Sequence, residues 1–105
     1  MPYLLKQYID IIWQPTYLFR YTATGPVGLA KNKKAVIVSS RGGDYSSSPM
    51  KAYDFVGPYL RSALGFAGIT DVNFVLAQPM DMGPALAKPK LEEALKAAKE
   101  LGARL

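Results

Sequence analysis

The segment that follows the first aliphatic run is the part of this sequence best placed to contact a ligand. It consists of Ser40, Arg41, Gly42 and Gly43. Glycine lets the backbone turn sharply or approach a ligand where a Cβ atom would collide. In open α/β sheets, ligands bind beyond the carboxyl ends of the strands, which is where these residues would lie. The segment predicts a ligand-contacting loop, and an ordinary strand-to-loop turn with an exposed Arg41 is the alternative.

The chemistry open to this chain is limited by the residue types that it lacks. The sequence contains no histidine and no cysteine. A zinc site and a mechanism that needs a histidine base are therefore not expected. The lack of cysteine also excludes thiol chemistry and a disulfide framework. We expect no metal ligands among these residues.

Two other segments offer side chains to a ligand. Residues 17–22 carry an aromatic side chain at every second position, which suits either a wall of rings for a planar ligand or a packing loop or short edge strand. Residues 44–49, here called the serine loop, contain three serines. Three serines can form a phosphate cradle, but a loop of this composition is typical of a flexible connection, which we favour.

The net charge of +5 favours anionic partners in general. The basic residues are scattered, apart from the Lys31–Lys34 cluster before the first predicted strand. We interpret this cluster as a solvated strand entry and not as a nucleic-acid patch. No nucleic-acid partner is therefore expected.

The composition is that of a globular protein, since 50% of the 105 residues are hydrophobic and 20% are charged. The length allows one domain at most. No apolar run approaches the roughly 20 residues of a membrane span. The start of the sequence lacks the features of a signal peptide, so we expect a cytoplasmic location without membrane association.

Hydrophobic periodicity and turn residues predict an α/β chain in the order helix-strand-helix-strand-helix. The second helix has two alternatives, Met50–Ala67 with a bend at Gly57-Pro58 or a shorter helix from about Pro58. The predicted elements are a helix over 2–13, a strand over 34–39, the second helix, a strand over 71–77 and a helix over 90–101.

Two strands separated by a helix should be parallel and joined by a right-handed crossover, and each is followed by a loop at its carboxyl end. The second of these loops covers residues 78–84. Both strands are apolar enough to be covered on both faces. A sheet of two such strands leaves open edges and little cover, so further strands from another chain or a tight oligomer are expected.

The sequence resembles the FMN-dependent NADH-azoreductases, which are flavodoxin-like quinone and azo-dye reductases formerly called acyl-carrier-protein phosphodiesterases. The resemblance runs nearly from end to end of the chain, and it lies in the order and spacing of several short motifs. These motifs are residues 5–10 (LKQYID), 19–22 (FRYT), 25–29 (GPVGL), 33–36 (KKAV), 40–43 (SRGG), 58–60 (PYL) and 64–72 (LGFAGITDV).

The resemblance implies a parallel sheet of five strands in the order 2-1-3-4-5. It implies that residues 1–105 form the C-terminal half of one flavodoxin-like domain, with the last two strands and the last three helices. Two FMN-binding elements of the family lie upstream of the matching region, a serine-rich phosphate loop and a Met-Tyr-Asn-Phe-type loop. We therefore expect these 105 residues to be inactive alone.

The resemblance also assigns residues and a reaction. Ser40, Arg41, Gly42 and Gly43 match the flavin-contacting loop of the family. Tyr21 and Phe66 match aromatic positions on the substrate side of the flavin, partly across the dimer interface. In the family, NADH reduces FMN, which passes hydride to a quinone or an azo bond. Arg41 would stabilise negative charge near the pyrimidine side of the flavin.

The resemblance leaves two functions open. One is an FMN- and NADH-dependent oxidoreductase whose fold is completed by a homo-oligomer, such as a dimer, or by a complementary N-terminal half. The other is a non-catalytic remnant or interaction module of the same fold, with the apolar face from Leu4 to Ile12 serving association alone. The missing phosphate loop favours the second function for the isolated chain, and the retained loop and aromatic residues favour the first.

Overall fold

The computed structural model describes all residues from 1 to 105. The chain divides into two compact units. Unit 1 comprises Met1–Ala35 and Phe55–Val72, and unit 2 comprises Val36–Asp54 and Asn73–Leu105. The elements are α1 (Tyr3–Ile12), β1 (Phe19–Thr22), β2 (Gly25–Gly28), β3 (Lys34–Ser40), a 3-10 helix (Met50–Tyr53), α2 (Val56–Phe66), β4 (Asp71–Ala77) and α3 (Pro84–Arg104).

Unit 1 contains a β-hairpin that the sequence did not predict in full. β1 and β2 are antiparallel, with Phe19 opposite Gly28 and Thr22 opposite Gly25. Gly25 has a φ of +117°, a conformation that glycine adopts without steric cost, and the Thr22 hydroxyl donates a hydrogen bond to its carbonyl. The short edge strand considered for residues 17–22 is present over Phe19–Thr22, and its partner Gly25–Gly28 is a strand that was not predicted.

The hairpin lies directly against the end of α2. A Cβ atom on Gly28 would lie 2.2 Å from the Gly68 nitrogen, so the two backbones are in contact without an intervening side chain. The Ala30 amide donates to the Ala67 carbonyl at 2.9 Å. Ala67 is completely buried there. Only glycine at position 28 allows this close approach.

α1 is joined to α2 through Trp13. The Trp13 indole nitrogen donates to the Ala63 carbonyl at 2.7 Å. Within α1, Ile9 is the one buried residue, and most of the apolar side chains are exposed. The exposed apolar residues of α1 are Tyr3, Leu4, Leu5, Tyr8 and Ile11. The apolar face expected from Leu4 to Ile12 is present on this helix, and most of it is exposed to solvent.

Unit 2 is built from the β3–β4 sheet and α3. The two strands are parallel neighbours. Val75 and Ala77 of β4 form a buried cluster with Ala94 and Leu101 of α3. The spacing of Ala94, the partly buried Ala98 and Leu101 places them on one face of the helix. This cluster holds the carboxyl end of β4 against α3.

β3 is not covered on both faces, contrary to the expectation from its aliphatic run. Its residues alternate between exposed and half-buried, and the Val38 side chain is 72% exposed. Successive side chains of a strand point to opposite faces, so covering a single face leaves every second residue in solvent. The unbroken apolar sequence of β3 therefore includes one face of the strand that unit 2 leaves exposed to solvent.

The two later helices differ from their predicted limits. α2 begins at Val56, close to the shorter alternative, and Pro58 falls in its first turn, where the missing amide hydrogen has no intrahelical acceptor. α3 begins at Pro84 and continues through Pro89, whereas the prediction started it at Lys90. Pro89 thus lies inside the helix, a position that is unfavourable for proline. The strand predicted over 71–77 is confirmed without change.

Candidate functional site

The Ser40–Gly43 loop follows β3 and is hydrogen-bonded to the segment that follows β4. The Arg41 amide donates to the Ala77 carbonyl at 2.9 Å. The Arg41 carbonyl accepts a hydrogen bond from the Met80 amide at 2.8 Å. The loops after the two parallel strands therefore meet at one edge of the sheet.

Gly42 lies in close contact with the loop that follows β4. The Asp81 amide donates to the Gly42 carbonyl at 3.0 Å. A Cβ atom on Gly42 would lie 3.2 Å from the Asp81 Cβ atom, a tight contact. Gly42 is not among the residues with positive φ, so it serves close approach and not an unusual turn. Its exposed backbone presents a surface without a side chain.

Arg41 is almost buried and forms an ion pair. Its Nη1 atom lies 3.0 Å from Oδ2 of Asp54, and the two side chains are 9% and 21% exposed. The guanidinium carbon also lies 5.5 Å from the centre of the Tyr45 ring. The exposed Arg41 expected under the alternative of an ordinary turn is therefore wrong. A buried guanidinium requires a carboxylate partner, and Asp54 supplies it.

The serine loop begins with a closed turn. Oδ1 of Asp44 accepts hydrogen bonds from the Ser46 amide at 2.9 Å and from the Ser46 hydroxyl at 2.5 Å. The Ser46 hydroxyl, and after it the Ser46 amide, hold the pKa of the Asp44 carboxyl below its ordinary value of 3.8. Both Ser46 donors are directed at Asp44, which argues against the phosphate cradle that the serines suggested.

Tyr21 and Phe66 are brought together in unit 1 by a third aromatic residue. The Phe19 ring lies 5.5 Å from the Tyr21 ring and 4.6 Å from the Phe66 ring, edge-on in both cases. Phe19 is 6% exposed, whereas Tyr21 is 70% exposed. Phe19 thus supports one exposed aromatic ring and one partly exposed ring. The alternation of residues 17–22 placed Phe19 beside Tyr21 but gave no sign of Phe66.

The predicted site residues fall into two groups, each assembled within its own unit. Ser40–Gly43 belong to unit 2, and Tyr21 and Phe66 belong to unit 1. Sequence reasoning missed Asp54, which contacts Arg41. A buried arginine needs a carboxylate partner, which could have pointed to Asp54. This argument requires knowing first that Arg41 is buried, and the sequence does not show that.

The basic cluster, the acidic residues and the helices offer no further site. Lys31, Lys33 and Lys34 are all exposed, as expected for a solvated strand entry. No group of three or more acidic residues is placed to hold a metal ion. None of the helices combines the length and the apolar character that crossing a membrane requires.

A family profile described as a flavodoxin-like fold matches residues 1–101. The chain belongs to this flavodoxin-like family. The α/β fold class and the resemblance to the C-terminal half of the azoreductases are confirmed.

Curated relatives in the flavodoxin-like family include two bacterial flavoenzymes. The FMN-dependent NADH:quinone oxidoreductase of Ralstonia nicotianae is 48% identical over 94 residues, which are 90% of this chain and 45% of that protein. The enzyme of the same name from Aeromonas salmonicida is 47% identical over 94 residues, or 90% of this chain and 47% of that protein. The chain thus spans about half the length of these relatives.

Solved structures of azoreductases superimpose on all or nearly all of the chain. The azoreductase from Bacillus anthracis strain Sterne gives a TM-score of 0.93 at 30% identity, covering 100% of this chain and 50% of that one. The FMN-dependent NADH-azoreductase from Bacillus anthracis strain Ames Ancestor, in complex with FMN, gives a TM-score of 0.80 at 30% identity. It covers 96% of this chain and 50% of that one.

Proposed function

We propose that this chain forms the C-terminal half of an FMN-dependent NAD(P)H oxidoreductase that reduces quinones or azo compounds. The observation that carries the proposal is the Ser40–Gly43 loop, held against the loop after β4 at the carboxyl end of β3. Ligands of open α/β sheets bind at this edge. Further support comes from relatives named as FMN-dependent NADH:quinone oxidoreductases and from an azoreductase structure in complex with FMN.

The residues of this loop fit the edge of a flavin ring. Ser40 and Gly42 are exposed, so a hydroxyl group and a backbone free of side chain face solvent. Such groups can donate hydrogen bonds and allow close approach of a planar ring system. Ser40–Gly43 would hold the isoalloxazine edge, and a phosphate loop in a complementary half would hold the phosphate. When bound, FMN supplies the hydride chemistry between NADH and the acceptor.

The aromatic residues of unit 1 would serve the acceptor. Tyr21 and Phe66 are assigned to the substrate side of the flavin, where a quinone or an azo dye could stack on an aromatic ring. Phe19 fixes both rings from below by edge-on contact. Arg41 is assigned to negative charge developing on the pyrimidine side of the flavin.

The exposed faces of both units call for a partner. In unit 2 alternate residues of β3 are exposed, and in unit 1 the apolar face of α1 is exposed. Uncovered apolar faces of this kind mark association surfaces. The proposed cover is a complementary N-terminal half, a second copy of this chain as in a dimer, or both. We place the completed protein in the cytoplasm.

A second candidate function is an interaction module without catalysis. It is favoured by α1, where large apolar side chains such as Tyr3, Leu4 and Ile11 are exposed. In this case the flavodoxin-like fold would be retained for association, and the Ser40–Gly43 loop would bind no cofactor.

Flavin retention separates the two functions. The purified chain is incubated with FMN, alone and with the N-terminal half of the Ralstonia nicotianae relative, and then dialysed. Its visible spectrum and its mass in solution are measured. We expect a retained flavin spectrum on a defined oligomer or on the mixture. A folded oligomer that stays colourless in both samples would contradict the oxidoreductase proposal and support the interaction module.

A pair of serine variants tests the assignment of the loop. We expect Ser40→Ala to weaken FMN binding by about 3- to 10-fold, the effect of losing one hydrogen bond. Ser47→Ala in the serine loop is the matched control and should bind as the unaltered chain does. Equal affinities of the two variants would remove Ser40 from the site.

A further inference from the structure

Asp54 connects the end of the 3-10 helix to the start of the Ser40–Gly43 loop. Its amide donates to the Lys51 carbonyl at 3.1 Å, which fixes its backbone at the end of that helix. Its carboxylate lies 3.0 Å from the Arg41 guanidinium. The ion pair therefore closes the base of the segment that contains residues 42–53.

The side chain of Arg41 is held from two directions. Asp54 binds Nη1, and the Tyr45 ring lies over the guanidinium carbon. Tyr45 is itself anchored, because its amide donates to Oε1 of Gln78 at 3.2 Å. A guanidinium this well buried loses much of its hydration, so leaving it without a carboxylate is unfavourable. Arg41 cannot turn outward without breaking both contacts.

The main chain of Arg41 is held as firmly as its side chain. Its amide and carbonyl bond to Ala77 and Met80, on the far side of the sheet edge. The orientation of the side chain and the path of the loop are therefore coupled at one residue. A contact that holds the Arg41 guanidinium therefore also restricts the backbone of the residues next to Arg41.

We propose that Asp54 is a positioning residue for the flavin-contacting loop. Through Arg41, its carboxylate sets the orientation of the Ser40–Gly43 backbone and keeps the segment 42–53 closed against the loop after β4. This inference rests on the proposed function, in which the ligand of the loop is FMN. Asp54 need not touch the flavin, because its effect is transmitted by Arg41.

Amide hydrogen exchange tests the effect of the Asp54–Arg41 ion pair on the loop without any flavin. In Asp54→Asn the isosteric amide removes the charge, and we expect the Arg41, Met80 and Asp81 amides to exchange about tenfold faster. Asp44→Asn is the matched control, because it removes one negative charge from the same segment at a residue that is hydrogen-bonded to Ser46 in a local turn. The control should leave these three amides unchanged.

The Trp13 and Ala67 amides are the internal reference for folding, because they lie in unit 1 and bond to Ile9 and Ala63. Faster exchange at the loop amides alone means local loosening, whereas faster exchange everywhere means that Asp54→Asn unfolds the chain. If the chain unfolds, the variant Asp54→Glu tests the positioning role instead, because it keeps the carboxylate. We expect Asp54→Glu to restore loop protection to within about threefold of the unaltered chain.

FMN affinity, measured in the sample in which the unaltered chain retains flavin, provides the second readout. We expect Asp54→Asn to weaken binding about tenfold, Asp54→Glu to recover most of the loss and Asp44→Asn to bind normally. Arg41→Gln combined with Asp54→Asn should bind no more weakly than either single variant, because the pair acts as a unit. Unchanged exchange and unchanged affinity in Asp54→Asn would overturn the inference.

The two proposals fail in different ways. If the unaltered chain binds FMN in no sample, the proposed function fails, and with it the role of Asp54 toward a flavin. If the unaltered chain binds FMN and Asp54→Asn behaves like Asp44→Asn, only the role of Asp54 is lost.

Discussion

Charged residues near the Ser40–Gly43 loop are bound by their own neighbours. The Arg41 guanidinium is paired with Asp54, and the Asp44 carboxylate accepts two hydrogen bonds from Ser46. Charge-assisted hydrogen bonds of this kind favour one geometry over many. The segment is therefore shaped by local electrostatics, although its composition is that of a flexible loop.

The Asp44 turn provides a prediction at the residue scale. Replacing Ser46 by alanine removes the hydroxyl donor, which is the largest cause of the lowered pKa of Asp44. We expect the pKa of Asp44 to rise toward its ordinary value of 3.8 in Ser46→Ala, as measured by NMR titration of the carboxyl group. Ser47→Ala should leave the pKa of Asp44 unchanged. An unchanged value in both variants would contradict the turn.

The same shift has a defined sign in the pH dependence of stability. A carboxyl whose pKa is lower in the folded state stabilises the fold above the unfolded pKa. For Asp44, this contribution is lost as the pH falls below 3.8 through the lowered pKa of the folded chain. The loss should be smaller in Ser46→Ala, because that variant starts with less of this stabilisation.

At the scale of elements, the hairpin and α2 meet backbone to backbone. The Gly28–Gly68 contact leaves no room for a Cβ atom, since one on Gly28 would lie 2.2 Å from a backbone nitrogen. Backbone atoms cannot move aside as the end of a flexible side chain can. The close packing of β2 on α2 in unit 1 therefore depends on a residue type and not on hydrophobic burial.

Two glycine variants test this packing. We expect Gly28→Ala to destabilise the chain by about 2 kcal/mol or more, because the added methyl group forces the hairpin away from α2. Gly65→Ala is the matched control, since no atom lies within 4 Å of an added Cβ atom at this helical position. It should stabilise the chain by about 0.5–1 kcal/mol. Urea unfolding gives both values, and equal stabilities would refute the contact.

Periodicity was enough to predict the elements with long, regular patterns. The β4 strand, the α1 helix and the order of helices and parallel strands follow from local sequence. The β2 strand does not, because its sequence Gly-Pro-Val-Gly has low strand propensity and its pairing with β1 is a tertiary effect. The predicted start of α3 at Lys90 was late, and Pro84 and Pro89 lower the intrinsic helix propensity of residues 84–89.

The candidate site was predictable in its residues but not in its contacts. The Ser40–Gly43 loop was recognised from an aliphatic run that ends in two glycines. The burial of Arg41 was not, because it depends on Asp54 and Tyr45, which are distant or unremarkable in the sequence. Phe19 was noted only as one of several aromatic residues, and its place between Tyr21 and Phe66 required the packed hairpin.

At the scale of the whole molecule, the chain spans about half the length of its flavodoxin-like relatives. The exposed residues of β3 and the exposed face of α1 are the places where cover is missing. Removing exposed apolar faces from water by contact with a partner stabilises the assembly. Under the proposed function, we attribute FMN binding and catalysis to a completed assembly and not to one copy of this chain.

NADH oxidation by the FMN-loaded assembly is the measurement that tests this attribution most directly. The assembly that retains flavin after dialysis is supplied with NADH and a quinone, and free FMN at the same concentration serves as the control. We expect NADH consumption that depends on the quinone and is at least about tenfold faster than with free FMN. An assembly that holds FMN yet oxidises NADH no faster than free FMN would contradict the proposed function.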